Sequence, residues 1–168
     1  MLTAEEEAKR QAALDALELD SFEATAFDDL TRTAAELLEA PMASISIVDH
    51  DRGWFKTRLG FSGPRAKPRE GSFSAQAIER PTEVLVVEDA SRDERFKSHP
   101  MVTGSPHFRF YAAAPLTLSS GDSIGALCVM DTAPRNIASD KLEQLKFLAD
   151  QVIQTLERRR QDIAGRSP

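Results

Sequence analysis

Two neighbouring segments of the chain, residues 108–118 and 123–131, are apolar at nearly every position. A strand with one face in water alternates apolar and polar residues, whereas a strand that is apolar throughout is covered on both faces. The four residues between the segments, Ser119-Ser120-Gly121-Asp122, have the composition of a hairpin turn. We therefore expect an antiparallel pair of strands at the centre of a sheet, with other parts of the protein on both sides.

Three amphipathic helical patterns lie near the ends of the chain and predict the layer that covers one face of this sheet. They span residues 3–17, residues 20–40 and a long segment that starts at Ser139. A short polar residue followed three positions later by glutamate opens the first two, which is a reciprocal capping pattern. Pro41 ends the second, because proline cannot continue the helical hydrogen bonds. The apolar residues at helical spacing are Phe27, Leu30, Ala34, Leu37 and Leu38 in the second helix, and Leu142, Leu145, Leu148, Val152 and Leu156 in the third.

Shorter patterns complete the predicted sheet. Residues 44–49 are rich in β-branched side chains, residues 54–59 alternate apolar and basic side chains, and residues 83–87 form a third strand pattern. A short helix is predicted at 73–79, and the glycines and prolines of residues 60–71 predict a loop. The element order α-α-β-β-α-β-β-β-α indicates an α+β fold of the α/β sandwich type. Its antiparallel sheet of five to six strands has the N- and C-terminal helices on one face and short helices and loops over the other.

The middle of the chain, residues 60–107, is too long to be a simple connection between strands. Long segments of this kind are usually functional. We expect this one to cover the second face of the sheet and to enclose a pocket there. Residues 1–20 are then an N-terminal helix that serves as a dimer or linker element, residues 21–160 are the domain, and residues 161–168 are a tail.

Composition limits the possible partners. The net charge of −6 argues against nucleic acid, and no apolar run approaches the roughly 20 residues of a membrane span. The acidic start, MLTAEEEAKR, is not typical of a signal peptide. Cys128 is the one cysteine, so a two-thiol redox cycle and a cysteine-rich metal site are excluded. A lone buried thiol is typical of the reducing cytoplasm.

We predict no catalytic residues and no metal ligands. His50, His99 and His107 lie in a predicted turn and a predicted loop, without ligand spacing on a shared element. Cys128 alternates with Ala126 and Met130 on a central strand, which is typical of a small core residue. The sequence places no nucleophile at a recognisable spacing from a base, and we therefore expect a protein that is not an enzyme.

Five strings of the sequence, in this order, resemble those of the GAF domain. They are ISIVDHDRGWFKTRLG (45–60), SFSAQAI (72–78), VVEDASRDERF (86–96), HPMVTGSPHFRFYAAAPL (99–116) and IGALCVMDTAPR (124–135). More narrowly, the chain resembles the GAF domains near the start of bacterial sensor histidine kinases and diguanylate cyclases, from about Ser21 to Arg160. The resemblance implies a cytoplasmic sensory module of bacterial signal transduction. Such a module binds a small molecule, forms a homodimer through its terminal helices, and acts on a downstream kinase or cyclase partner.

Two other functions are compatible with the same resemblance. The domain could be a ligand-free dimerisation scaffold with a collapsed pocket. A small enzyme that uses the pocket is less favoured, because general acid–base catalysis needs two titratable groups held together.

The resemblance implies a ligand pocket between the sheet and the middle segment. The residues expected to line it are Trp54, Phe73, Ser74, Gln76, Asp89, Phe96, Arg109 and Tyr111. Related domains usually carry cysteine and histidine where this chain has Ser74 and Gln76, which argues against redox, metal and haem chemistry. Bilin attachment needs a loop cysteine with a histidine or similar partner beside it, and Cys128-Val129 does not supply one. We therefore expect no cofactor.

Four of these residues also have structural interpretations. Trp54 and Phe73 would serve equally as core or sheet-edge residues. Asp89 could accept hydrogen bonds from a ligand or cap the turn that follows it. Arg109 could clamp a carboxylate or phosphate in the pocket, or pair with Asp89 or Asp93 across the strands.

Overall fold

The computed structural model describes residues 2–23 and 25–166. Its strands are β1 (Met42–Val48), β2 (Arg52–Leu59), β3 (Ala66–Pro68), β4 (Leu85–Val87), β5 (Phe110–Thr117) and β6 (Ser123–Asp131). They form one six-stranded sheet in the order β3-β2-β1-β6-β5-β4, and every neighbouring pair is antiparallel. The two strands predicted to be central, β5 and β6, pair with each other inside the sheet, as their all-apolar sequences require.

Helices cover the two faces of the sheet unequally. They are α1 (Ala4–Asp15), α2 (Thr25–Leu37), α3 (Phe73–Ile78), α4 (Pro100–Thr103) and α5 (Ser139–Ala164), with 3-10 turns at Leu19–Ser21 and Ala90–Arg92. The terminal helices α1, α2 and α5 pack on one face, and α3, α4 and the second 3-10 turn pack on the other. The predicted α+β architecture is confirmed.

Alternation along the buried strands divides the core into two clusters. On β1, Ala43, Ile45 and Ile47 face the terminal helices, while Ser44 and Ser46 face the α3 side. The helix-side cluster is larger and apolar. Buried hydroxyl groups among the apolar residues of the α3 side make this the face on which a polar ligand could bind.

Helix α1 is fixed to the rest of the domain by a buried arginine. Arg10 donates to the Val48 carbonyl at 2.7 Å and to the Glu7 carboxylate at 2.9 and 3.0 Å. Arg69 binds the same carboxylate from the loop after β3. The Arg69 guanidinium, together with Arg10, lowers the pKa of Glu7 to about 2, so this carboxylate stays ionised and keeps α1 in place.

The predicted loop at residues 60–71 contains an unpredicted strand. Trp54 pairs with Ala66 and Arg52 with Pro68, so the prediction of loop throughout this segment was wrong. Proline is tolerated here because β3 is the edge of the sheet, where no outer partner needs its missing N–H group.

Two further boundaries, the start of α2 and the end of α5, differ from the prediction. Leu19–Ser21 form a 3-10 turn and α2 starts at Thr25, so the helix predicted from residue 20 was wrong at its start, and residue 24 lies outside the described residues. The ammonium group of Lys56, on β2, binds the Leu19 and Phe22 carbonyls, and this tertiary contact favours the turn over a helix. Helix α5 continues to Ala164, so the predicted tail at 161–168 starts as helix, and its last two residues are not among those described.

Candidate functional site

The candidate site is a cavity of about 50 Å³ on the sheet face that α3 and α4 cover. Ser44, Ser46 and Tyr111 form part of its floor, and Phe73 and Ser74 enter from α3. Space of this size holds a few water molecules or a ligand of a few non-hydrogen atoms.

Hydroxyl and thiol groups form a hydrogen-bonded cluster in the floor. The Tyr111 hydroxyl lies 3.0 Å from Cys128 Sγ, which lies 3.9 Å from Ser46 Oγ, and the Ser44 and Ser46 hydroxyls are 3.3 Å apart. Burial raises the pKa of Tyr111 and also that of the Cys128 thiol. The floor is therefore uncharged and offers hydrogen-bond donors and acceptors in a low-dielectric environment.

Aromatic rings fill most of the space above this floor. Phe73 stacks on Phe96 with ring centroids 4.1 Å apart, and its ring lies 4.4 Å from that of Tyr111, 4.8 Å from His99 and 6.1 Å from Phe108. Ser72 caps α3 by accepting from the Ala75 N–H at 3.1 Å, which fixes the direction of the helix. The position of Phe73 therefore sets the volume of the cavity.

His99 and Lys67 stand where the cavity meets an outer groove of about 370 Å³ that both residues also line. His99 Nδ1 accepts from the Met101 N–H at 3.0 Å, so the neutral ring carries its hydrogen on Nε2. Burial, with the nearby Lys67 charge, lowers the pKa of His99 to about 4. The imidazole is therefore neutral at physiological pH, and Lys67 supplies a positive charge beside it.

The structure brings four of the eight predicted site residues together. Trp54, Phe73, Ser74 and Tyr111 all line the cavity. Trp54 also packs against the helix-side core, so its indole serves both of the roles that the sequence left open.

The other four predicted residues lie away from the cavity. Gln76 is exposed on α3, and Phe96 is fully buried behind the Phe73 ring. Asp89 accepts from the N–H and hydroxyl of Ser91 at 3.1 and 2.6 Å, which is the capping role. Arg109 takes neither of its predicted positions, because its guanidinium donates to the Val102 and Phe108 carbonyls at 3.0 and 2.9 Å.

Four polar residues, Ser44, Ser46, Lys67 and His99, are among the lining residues that sequence reasoning missed. Ser44 and Ser46 could have been predicted, because two hydroxyl residues at alternate positions of a buried strand face the same side of the sheet. Lys67 lies in the strand that was predicted as loop, and His99 lies in another segment predicted as loop. Nothing local in the sequence places these last two together.

Across residues 2–23 and 25–166, no three His, Cys, Asp or Glu side chains are grouped closely enough to hold a metal ion. None of the helices in these two ranges has both the length and the apolar character needed to span a bilayer.

The GAF domain family model matches residues 23–156. One curated relative, the cyclic di-GMP phosphodiesterase PA2567 of Pseudomonas aeruginosa, is 40% identical over 138 residues, which cover 82% of this chain and 23% of that protein. The chain thus spans about a quarter of the length of this relative.

Solved structures share the fold at lower identity. A domain assigned to a two-component sensor histidine kinase protein from Sinorhizobium meliloti has a TM-score of 0.67 at 20% identity, covering 84% of this chain and 95% of that one. The GAF domain of an Acinetobacter phosphoenolpyruvate-protein phosphotransferase has a TM-score of 0.66 at 16% identity, covering 94% and 96%.

Proposed function

The chain belongs to the GAF domain family, and we propose that it is a non-enzymatic sensory module that binds a small molecule in the cavity beneath α3. The observation that carries this proposal is the cavity itself. It joins a floor of buried hydroxyl groups to an outer groove. Polar groups in a space of this size hold water, and a ligand that reproduces the hydrogen bonds of that water can replace it. Ligands of more than a few atoms require α3 to move outward, because Phe73 occupies the remaining space.

The packing of the sheet supports a regulatory role. Helix α3 contacts β1, β5 and β6 on one face, and α5 contacts β5 and β6 on the other. A ligand that displaces α3 therefore acts on the same strands that carry the long C-terminal helix. It shifts the domain between two arrangements only to the extent that it binds them unequally.

We further propose that the terminal helices form a homodimer. Helix α5 has 26 residues, a length of about 39 Å. Phe147 is 62% exposed on this helix, and Leu37 is 38% exposed at the end of the neighbouring α2. A second copy of the chain would remove both side chains from water. Light scattering at several concentrations should show a dimer that Phe147→Ser weakens and the exposed control Gln154→Ser does not. A wild-type monomer at every concentration would refute the dimer.

Two observations support a non-enzymatic role. The Tyr111 and Cys128 groups of the floor are neutral, because burial raises their pKa values, and His99 Nδ1 is already occupied by a main-chain N–H. No group in the described cavity is therefore poised as an ionised nucleophile beside a free base. Because the relative PA2567 is a cyclic di-GMP phosphodiesterase, we propose that this domain regulates cyclic di-GMP turnover. We place the module in the cytoplasm, where the buried Cys128 thiol remains reduced.

Thermal unfolding with a panel of nucleotides, amino acids and small organic acids tests ligand binding. A ligand at 100 times its dissociation constant adds about 2.7 kcal/mol to the free energy of unfolding. Ser46→Val removes a floor hydroxyl and fills the cavity, so it should abolish the shift, whereas Ser62→Val in an exposed loop should not. A shift that survives Ser46→Val would place the ligand elsewhere.

The small volume of the cavity favours a second candidate function, the ligand-free dimerisation scaffold. Phe73 and the rings around it leave only about 50 Å³. No shift with any compound, together with a stable dimer, would establish the scaffold in place of the sensor.

A further inference from the structure

Lys67 is a cation available to a ligand at this site. It lies on β3, where it pairs with Gly53, and it lines both the cavity and the outer groove. In the described part of the chain, no carboxylate lies within 4.0 Å of its ammonium group, although Glu70 lines the same groove. Arg95, the other basic residue of the groove, is already bound by Asp93 at 2.8 and 3.0 Å.

His99 adds a neutral donor next to this charge. Its Nδ1 atom accepts the Met101 N–H, which leaves the Nε2–H group without an acceptor among residues 2–23 and 25–166. His99 and Lys67 both line the cavity and the outer groove, and the Lys67 charge contributes to the lowered pKa of His99. The entrance therefore presents two donors and one positive charge.

These groups specify the chemistry of the ligand. Two donors select an acceptor, and partial burial strengthens a charge-assisted hydrogen bond. One positive charge matches a monoanion and leaves the second charge of a phosphate dianion unpaired, which is costly away from water. The hydroxyl groups of Ser44 and Ser46 then suit a polar substituent on the far end of the ligand.

We propose that the ligand is a short-chain carboxylate whose charged group binds between Lys67 and His99 and whose remaining atoms lie over the serine hydroxyls. This inference rests on the proposed ligand binding in the same cavity. Arg109, which the sequence suggested as the anion clamp, is held by main-chain carbonyls outside the cavity, and Lys67 takes the role instead.

The test compares acids with neutral amides of the same shape. Acetate, pyruvate and glycolate, set against acetamide and glycolamide, are titrated into the wild-type protein by calorimetry and thermal unfolding. At least one acid should bind at least tenfold more tightly than its amide. Lys67→Met keeps the side-chain stem but removes the charge, and it should weaken acid binding tenfold or more. Lys67→Arg should retain binding, and Lys146→Met, at an exposed position on α5, should have no effect.

Each outcome separates this inference from the proposed function. If acid and amide bind equally, if Lys67→Met leaves the affinity unchanged, or if inorganic phosphate binds more tightly than every acid, the carboxylate assignment is wrong while ligand binding stands. If another class of compound binds and no acid does, the assignment is again wrong. If nothing in either panel binds, both proposals fail. Circular dichroism of each variant separates lost binding from lost folding, and Lys67→Gln, which also removes the charge, provides the test if Lys67→Met does not fold.

Discussion

Replacing His99 with asparagine should change how the stability of the domain depends on pH. The pKa of His99 is lowered from 6.5 to about 4 in the folded protein, mainly by burial. At pH values above 6.5 the ring is neutral in both states and contributes no pH dependence. As the pH falls below 6.5, His99 takes up a proton in the unfolded chain but not in the folded protein, so the free energy of unfolding decreases. Between pH 7.5 and 4.5 this loss amounts to about 1–2 kcal/mol, discounted for solvent screening because the ring is only partly buried.

Asparagine is a suitable replacement because His99 occupies the N-cap position of α4. Asparagine can cap the helix in the same way but does not titrate. Urea unfolding of wild type and His99→Asn should therefore diverge as the pH falls, with the wild type losing about 1–2 kcal/mol more of its free energy of unfolding than the variant. His107→Asn is the matched control, because His107 is exposed and asparagine tolerates its positive φ of 64°. Equal slopes for wild type and His99→Asn would show that the imidazole is not held in its neutral form by the fold.

Three further substitutions test other parts of the structure. Glu7→Gln should lower the free energy of unfolding by about 1–2 kcal/mol at neutral pH, a figure discounted because 28% of the side chain is exposed. In urea unfolding this difference should shrink as the pH falls from 4.5, the ordinary pKa of glutamate, towards about 2, the pKa of Glu7 in the folded protein. A difference that stays constant with pH would contradict the ion pairs. Gly125→Ala places a Cβ atom 2.0 Å from the Ser46 carbonyl oxygen. This clash should lower the free energy of unfolding by about 3 kcal/mol or more. Gly53→Ala meets nothing closer than 3.8 Å and should stay near wild type, so equal thermal stability of these two variants would refute the steric argument. Arg109→Ala should lower stability by about 1–2 kcal/mol, because two carbonyls lose their donor, and should leave ligand affinity unchanged; lost affinity in calorimetry would return Arg109 to the binding site.

Hydrophobic patterning predicted the layers of the fold but not the edges of its elements. The continuous apolar runs of β5 and β6 predicted the centre of the sheet, and the helical spacing of apolar residues in α2 and α5 predicted the helix layer. β3 was not, because an edge strand of three residues that ends in proline has too few positions to show alternation. The start of α2 depends on the contacts of Lys56 with two carbonyls about 35 residues away, which no local pattern contains.

The same distinction explains which site residues were found. Phe73, Ser74 and Tyr111 lie in regular elements whose side-chain directions follow from the pattern. Asp89 and Arg109 lie at element ends, where a side chain can bind either a ligand or nearby backbone groups. In the structure both bind backbone groups. Lys67 and His99 come from segments 32 positions apart that meet only once the cover over the sheet has formed. The charge at the site therefore required the tertiary structure.

A short segment of the chain connects the proposed ligand site to a contact that holds the N-terminal helix. Lys67 is two residues before Arg69, which binds Glu7 of α1, and Glu7 in turn holds the buried Arg10. A ligand that draws Lys67 towards the cavity pulls on the same short segment that carries the Arg69 contact. Displacing α1 would take Arg10 away from the Val48 carbonyl, and leaving that buried acceptor without its donor would cost about 1–3 kcal/mol.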